Sequence, residues 1–189
     1  MFMEDKRERG KIMKKFYYTR HGRTKWNIER KVCGRTDIEL TEEGHKQAIE
    51  AANLIKENNY PITKIIVSPL KRAVETAKII ADINNLPIIT EERIIERNFG
   101  EYEGKAYSDE FKKLVQRADY DFESGESAFQ VAERIYEVLD EIGKSDDTYL
   151  MVAHNGLVRM VDSYFNGRDI ERSADAFIKN CEIKEYEFE

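Results

Sequence analysis

Apolar residues along this chain follow two periods. Four short runs are dense in β-branched and aromatic residues: KKFYYTR at 14–20, KIIVS at 64–68, TYLMVAH at 148–154 and the alternating CEIKEYEF at 181–188; PIIT, from Pro87, is a shorter fifth. Runs of this kind, bounded by polar and turn-forming residues, predict strands. Between them the spacing changes to the three-to-four-residue repeat of amphipathic helices. TEEGHKQAIEAANLIKE places Ala48, Ala51, Ala52 and Ile55 on one face behind a Thr41 N-cap. SPLKRAVETAKIIAD lines up Leu70, Ala73, Ala77 and Ile80, with Ser68 expected as N-cap and Pro69 at the first helical position. SAFQVAERIYEVLDEIG carries Ala128, Val131, Ile135, Val138 or Leu139, and Ile142 on one face, with Gly143 expected to end it.

Strands that alternate with helices predict an α/β fold, a three-layer α/β/α sandwich around a mostly parallel central sheet. Neither an internal repeat nor a Pro/Gly/Ser linker divides the chain, so one domain is expected over residues 14–189, preceded by a flexible extension at 1–13. The least patterned stretch, 91–123, reads as a long excursion from the sheet edge, and excursions of that length often carry function.

Composition narrows the partners. With 189 residues, 41% hydrophobic and 36% charged, the chain suits a soluble domain, and a net charge of -6 argues against nucleic acid as a partner. No run of 18 apolar residues suggests a membrane span, and the charged start lacks the apolar core of a signal peptide. Cys33 and Cys181 form neither a CxxC pair nor a metal spacing, so a reducing cytoplasm is the expected location. The alternating C-terminal strand offers an edge through which two copies could pair as a homodimer.

The chemistry collects where strands turn into helices. Open parallel sheets bind ligands beyond the carboxyl ends of their strands, next to helix N-termini. Two of the three histidines, His21 and His154, fall at such turns, together with Arg20 and Arg72. Cations in the first turn of a helix oppose its dipole unless an anion is bound there. Two arginines and two histidines converging on one sheet edge point to a phosphoryl site.

These residues also carry a family likeness. TRHGRTKWN resembles the Arg-His-Gly signature of the histidine phosphatase superfamily, the phosphoglycerate mutase-like family. CGRTDIELTEEGHKQA, VSPLKRAVETA, ERNFGEYEG, SGES and VAHNG resemble its later blocks in the same order. The resemblance implies a phosphomonoester hydrolase acting on a small phosphorylated metabolite, with no metal and no cofactor. It implies that His21 is the nucleophile, that Arg20, Arg72 and His154 hold the phosphoryl oxygens, and that Glu96 serves as acid and then base. Asn27 is expected to bond phosphate from the first helix, and Asn155 or Gly156 to offer a backbone N–H. Cys33 and Gly34 match a loop that lines the substrate pocket in relatives.

Within that family the alternative to a phosphatase is a cofactor-dependent phosphoglycerate mutase. Mutases carry a long insertion after the acidic motif and a His-Tyr pair within it, whereas about twenty residues separate Gly104 from Gly125 here and the motif reads Asn98-Phe99. A non-catalytic phosphate-binding regulator is the reading from another class, and the complete set Arg20, His21, Arg72, Glu96 and His154 argues against it. His45, among acids on a helix, reads as a surface residue, and Trp26 as packing.

Overall fold

The computed structural model describes residues 13–188. The expected N-terminal extension, Met13 apart, lies outside them. Among the described residues the elements are β1 (Lys14–Arg20), α1 (Lys25–Ile28), α2 (Glu42–Glu57), β2 (Lys64–Val67), α3 (Lys71–Asn84), β3 (Ile88–Thr90), α4 (Asp109–Gln116), α5 (Ala128–Lys144), β4 (Tyr149–Ala153), α6 (Asn155–Phe165) and β5 (Ile183–Phe188). The strands form one sheet in the order β3-β2-β4-β1-β5. All neighbours are parallel except β5, which runs antiparallel to β1 with Phe16 opposite Tyr186.

The two-residue period of the strands divides the core. Phe16, Tyr18, Met151 and Ala153 point to one face, where α5 and α6 cover them with Ile135, Leu139, Leu157 and Val161. Tyr17, Ile65, Leu150 and Val152 point to the other, under Ala52 and Ile55 of α2 and Ala73, Ala77 and Ile80 of α3. Each face of the sheet therefore carries a helical layer, the α/β/α sandwich that the alternation predicts. Strands buried on both faces leave their carboxyl ends as the open edge on which turns can gather side chains. No described helix is long and apolar enough to cross a membrane.

Two helix boundaries differ from the pattern. Helix α3 starts at Lys71 after Leu70, which offers no side-chain cap; the Lys71 N–H instead donates to the Asp37 carboxylate at 2.8 Å. Ser68 and Pro69 therefore lie before the helix; the Ser68 hydroxyl accepts from the Leu70 N–H at 3.4 Å and also meets His154 Nε2. Gly143 sits inside α5, which runs one residue further and ends at Ser145; its bare Cα faces the Phe188 ring of β5.

The excursion at 91–123 builds a small core of its own. Phe99, Phe111 and Phe122 pack with Val32, their rings meeting edge-on or tilted at centroid separations of 5.3–5.7 Å. This aromatic wedge holds α4 over the carboxyl edge of the sheet, above the turns that follow β1 and β4.

Candidate active site

His21 follows the last residue of β1, and its backbone N–H donates to the Ala153 carbonyl of β4 at 3.0 Å, so the two strand ends place His21 beside His154. The ring centroids lie 5.3 Å apart at 58°. Nδ1 of His21 is 2.7 Å from the Gly22 carbonyl, an acceptor only, so Nδ1 carries the hydrogen and Nε2 the lone pair. Arg72 Nε donates toward that lone pair at 3.2 Å. Burial first, then Arg72 and Arg20, hold the His21 pKa well below the usual imidazole range. The ring is therefore neutral, with a lone pair at one end and a fixed proton at the other.

His154 is fully buried and held on both sides. The Tyr18 hydroxyl donates to its carbonyl and accepts from its N–H, while Nε2 lies 2.7 Å from Ser68 Oγ. Nδ1 is buried without a partner. Burial, then Arg72, lowers its pKa well below the ordinary value. Arg20 Nε is a second buried nitrogen without a partner; Nη1 of the same side chain reaches the Ile178 carbonyl at 3.3 Å. Buried polar atoms without a partner are uncommon, and two of them, Arg20 Nε and His154 Nδ1, stand close to His21.

Glu96 is buried, and both its oxygens are occupied: Oε1 accepts from the Arg97 N–H at 2.8 Å and Oε2 from the Gly156 N–H at 3.0 Å. Burial raises its pKa, against the opposing pull of those two N–H groups and of Arg72. A Cβ at Gly156 would fall 2.4 Å from Glu96 Oε1, so a larger residue there would displace the carboxylate. Its N–H, expected on phosphate, binds Glu96 instead.

Seven of the ten site residues expected from sequence line one cavity of about 130 Å³: Arg20, His21, Asn27, Cys33, Glu96, Asn155 and Gly156. Arg72, His154 and Gly34 lie outside its lining. Arg72 is wholly buried and committed to protein, with Nη1 on the Thr36 carbonyl at 2.9 Å and Nη2 on the Gly34 carbonyl at 2.7 Å. Asn27 closes a capping box with Thr24, its Oδ1 accepting from the Thr24 N–H at 3.0 Å. Asn155 Oδ1 accepts from the Ile178 N–H at 3.0 Å. Burial pushes the Cys33 thiol up, the opposite of an activated thiolate. His45 stands on α2 beside Glu75, outside this cluster.

The supporting shell is mostly absent from the sequence reading. Arg134 of α5 donates to the carbonyls of Arg93 and Ile95, and Glu126, just before that helix, accepts from the Asn98 N–H at 2.8 Å, so the two fix the segment that carries Glu96. Asn180 donates to the His21 carbonyl at 2.8 Å. Gly22 makes room for the chain: a Cβ there would lie 2.4 Å from the Gly44 carbonyl oxygen.

The family model described as the histidine phosphatase superfamily (branch 1) matches residues 16–189. The protein named uncharacterized phosphatase PhoE, from Bacillus subtilis (strain 168), is 30% identical over 164 residues, 86% of this chain and 82% of its own length. A 2,3-bisphosphoglycerate-dependent phosphoglycerate mutase of Lactococcus lactis subsp. cremoris (strain MG1363) is 31% identical over 140 residues, 72% of this chain and 56% of the mutase. Among solved structures, the native mycobacterial glucosyl-3-phosphoglycerate phosphatase has the same fold, with a TM-score of 0.82 at 22% identity over 92% of this chain and 89% of that one.

Proposed function

Because the chain belongs to branch 1 of the histidine phosphatase superfamily, we propose that it hydrolyses small phosphomonoesters through a phosphohistidine at Nε2 of His21. The observation that carries this reading is the 2.7 Å contact of His21 Nδ1 with the Gly22 carbonyl, which leaves Nε2 unprotonated at the cavity.

In the first step the Nε2 lone pair attacks phosphorus and the P–O ester bond breaks. The leaving oxygen takes a proton from Glu96, whose raised pKa suits an acid. The ring becomes an imidazolium whose Nδ1–H remains on Gly22. Phosphoryl oxygens take the free donors of Arg20 Nε and, in its Nδ1–H tautomer, His154. The Arg72 Nε–H turns from His21 Nε2 to the same oxygens as the lone pair is used. In the second step Glu96 accepts a proton from water, the water oxygen bonds to phosphorus, and the P–N bond breaks. Inorganic phosphate leaves and His21 returns to its neutral tautomer. Side-chain cations and oriented donors stabilise the transition state, so no metal enters either step.

Mutase action at the same histidine is the second reading, supported by the likeness to mutases. It is the weaker one. Phe99 brings a ring to the aromatic wedge and no hydroxyl to a substrate, and the cover over the site is built around the single eight-residue helix α4.

The test is phosphate release from a panel of phosphomonoesters in the presence of EDTA, for wild type and His21→Ala, with acid-labile, alkali-stable phosphate on the protein measured in parallel. Release and labelling that both vanish in the variant support the reading. Equal activity in His21→Ala, or activity that EDTA abolishes, overturns it.

A further inference from the structure

Next to the phosphoryl pocket lies a second cavity of about 300 Å³. The two share Phe99, Tyr107, Val115, Asn155 and Gly156, so a single extended ligand can occupy both. The second cavity is the more cationic: Arg97, Lys112 and Arg159 line it against one carboxylate, Asp175.

Arg159 is the unusual member. It projects from α6 and is 5% exposed. Nε donates to the Ile170 carbonyl and Nη1 to the Val115 carbonyl, both at 2.9 Å, yet Nη2 is buried without a partner. A guanidinium that served only to tie these two carbonyls together would not need to leave a donor orphaned in the interior, where desolvation without a partner is costly. Lys112 is exposed on α4 and makes no ion pair among the described residues. Asp175, which accepts from Gln116 Nε2 at 2.8 Å, keeps its charge and, with Glu171, acts on Arg159 electrostatically without hydrogen-bonding to Nη2, so a ligand's acidic group would compete with these two carboxylates for the guanidinium. Arg97 is fixed to the carbonyls of Glu126 and Tyr120 and lies over the Phe122 ring, so it contributes charge rather than a free donor.

We propose that this cavity is an acid-binding subsite: Arg159 Nη2 and Lys112 hold a second acidic group on the leaving portion of the substrate. The phosphoryl group would sit at His21 and the acidic end beneath α4. The substrate class is then a small phosphomonoester with a carboxylate or a second phosphate, rather than a neutral alcohol phosphate. As a statement about substrate this rests on the phosphatase reading; as a statement about binding it does not.

The experiment compares three esters of one three-carbon skeleton: glycerol 3-phosphate with a neutral end, 3-phosphoglycerate with a carboxylate, and glycerol 1,3-bisphosphate with a second phosphate. Binding is followed by calorimetry and turnover by kcat/KM, on wild type, Arg159→Lys, Arg159→Met and Lys112→Met. We expect at least one acidic ester to bind at least about tenfold tighter than glycerol 3-phosphate, with the better one identifying the group. That preference should shrink toward one in Arg159→Met and Lys112→Met and persist in part in Arg159→Lys. Lys112, exposed, carries the test if Arg159→Met fails to fold. Equal binding of all three esters to wild type, or a preference intact in folded Arg159→Met and in Lys112→Met, overturns the subsite. Equal binding with active hydrolysis leaves the phosphatase reading standing. Preferential binding with no hydrolysis of any ester leaves the subsite standing and removes the phosphatase.

Discussion

Arg72 Nε lies 3.2 Å from His21 Nε2, so the cation expected to clamp phosphate instead caps the lone pair of His21. The contact has two consequences. After burial, the larger cause, it helps keep His21 unprotonated, since a positive charge at that distance opposes an imidazolium, and in the proposed mechanism it must be broken before Nε2 attacks. An incoming phosphoryl oxygen does both jobs, accepting the Arg72 N–H and exposing the lone pair.

Replacing Arg72 with Met should therefore change more than affinity. Loss of an oriented donor at the transition state predicts a fall of about 10²–10³ in kcat/KM. With the neighbouring charge gone, the His21 pKa should rise toward its ordinary value and carry the acid limb of the pH–rate profile upward. Measuring kcat/KM from pH 4 to 8 checks both. A pure rate loss with an unmoved acid limb would show that Arg72 does not govern His21 ionisation. Because Arg72 also holds the Gly34 and Thr36 carbonyls, a melting curve must accompany the kinetics.

Glu96 predicts a different signature. In the proposed mechanism its acid form gives a proton to the leaving oxygen and its carboxylate then activates water. Its pKa is raised, so activity that depends on the acid form should decline as pH rises through that value. Glu96→Gln should remove this basic limb and lower turnover of an alkyl phosphate by about 10²–10⁴. With p-nitrophenyl phosphate, whose leaving group needs no proton, the first step should survive while the second stalls. Rapid-quench measurement should then show a burst of p-nitrophenol of one equivalent per site, followed by slow turnover. A variant slowed equally on both esters, without a burst, would remove Glu96 from acid–base duty.

What the sequence made legible follows from how local each signal is. The sheet and its covering helices could be read because buried strands and amphipathic helices write their periods into adjacent residues. His21, Glu96 and His154 stood out as chemistry at strand ends or within ordered motifs. The start of α3 falls later than the local cap signal of Ser68 and Pro69 suggests: the Ser68 hydroxyl takes only the Leu70 N–H at 3.4 Å and also serves His154, 86 residues away, while Asp37 caps the helix from another loop. Gly22 and Gly44 show the same limit. Each leaves room for the backbone near the other, Gly22 against the Gly44 carbonyl and Gly44 against that of Arg23, and nothing local to either glycine announces the pairing. Arg134, Asn180 and Arg159 look like ordinary polar residues until the fold brings a carbonyl or a cavity to them.

Ser68 thus acquires a role that its position alone did not suggest. For His154 to offer Nδ1–H to a phosphoryl oxygen, Nε2 must be the acceptor, and the Ser68 hydroxyl 2.7 Å away can donate to it. Ser68→Ala removes that preference without removing the ring. It should lower kcat by about tenfold, less than the loss of a whole oriented donor, and leave KM nearly unchanged. Ser68→Thr, which keeps the hydroxyl, should recover activity if its methyl is accommodated. The ¹⁵N shifts of His154 report the tautomer directly, and an unaltered tautomer in Ser68→Ala would separate Ser68 from catalysis.

The two histidines also make stability depend on pH in a direction that can be worked out. Both are held well below the usual range, chiefly by burial and then by Arg72, while in the unfolded chain each titrates near pH 6.5. Below about pH 6.5 the unfolded chain therefore binds protons that the folded chain refuses, and stability falls on acidification until the depressed folded values are reached. Glu96 works in the opposite sense. Its folded pKa lies above its unfolded one, so between the two values the folded state holds the extra proton and gains stability as pH falls. With two histidines against one carboxylate, urea midpoints should drop between pH 7.5 and pH 5.5, and the slope should be shallower in the double variant His21→Asn/His154→Asn. The difference between the two proteins isolates the histidines from every other titrating group. Parallel slopes would mean that both imidazoles titrate normally in the folded chain, and the neutral nucleophile would lose its support.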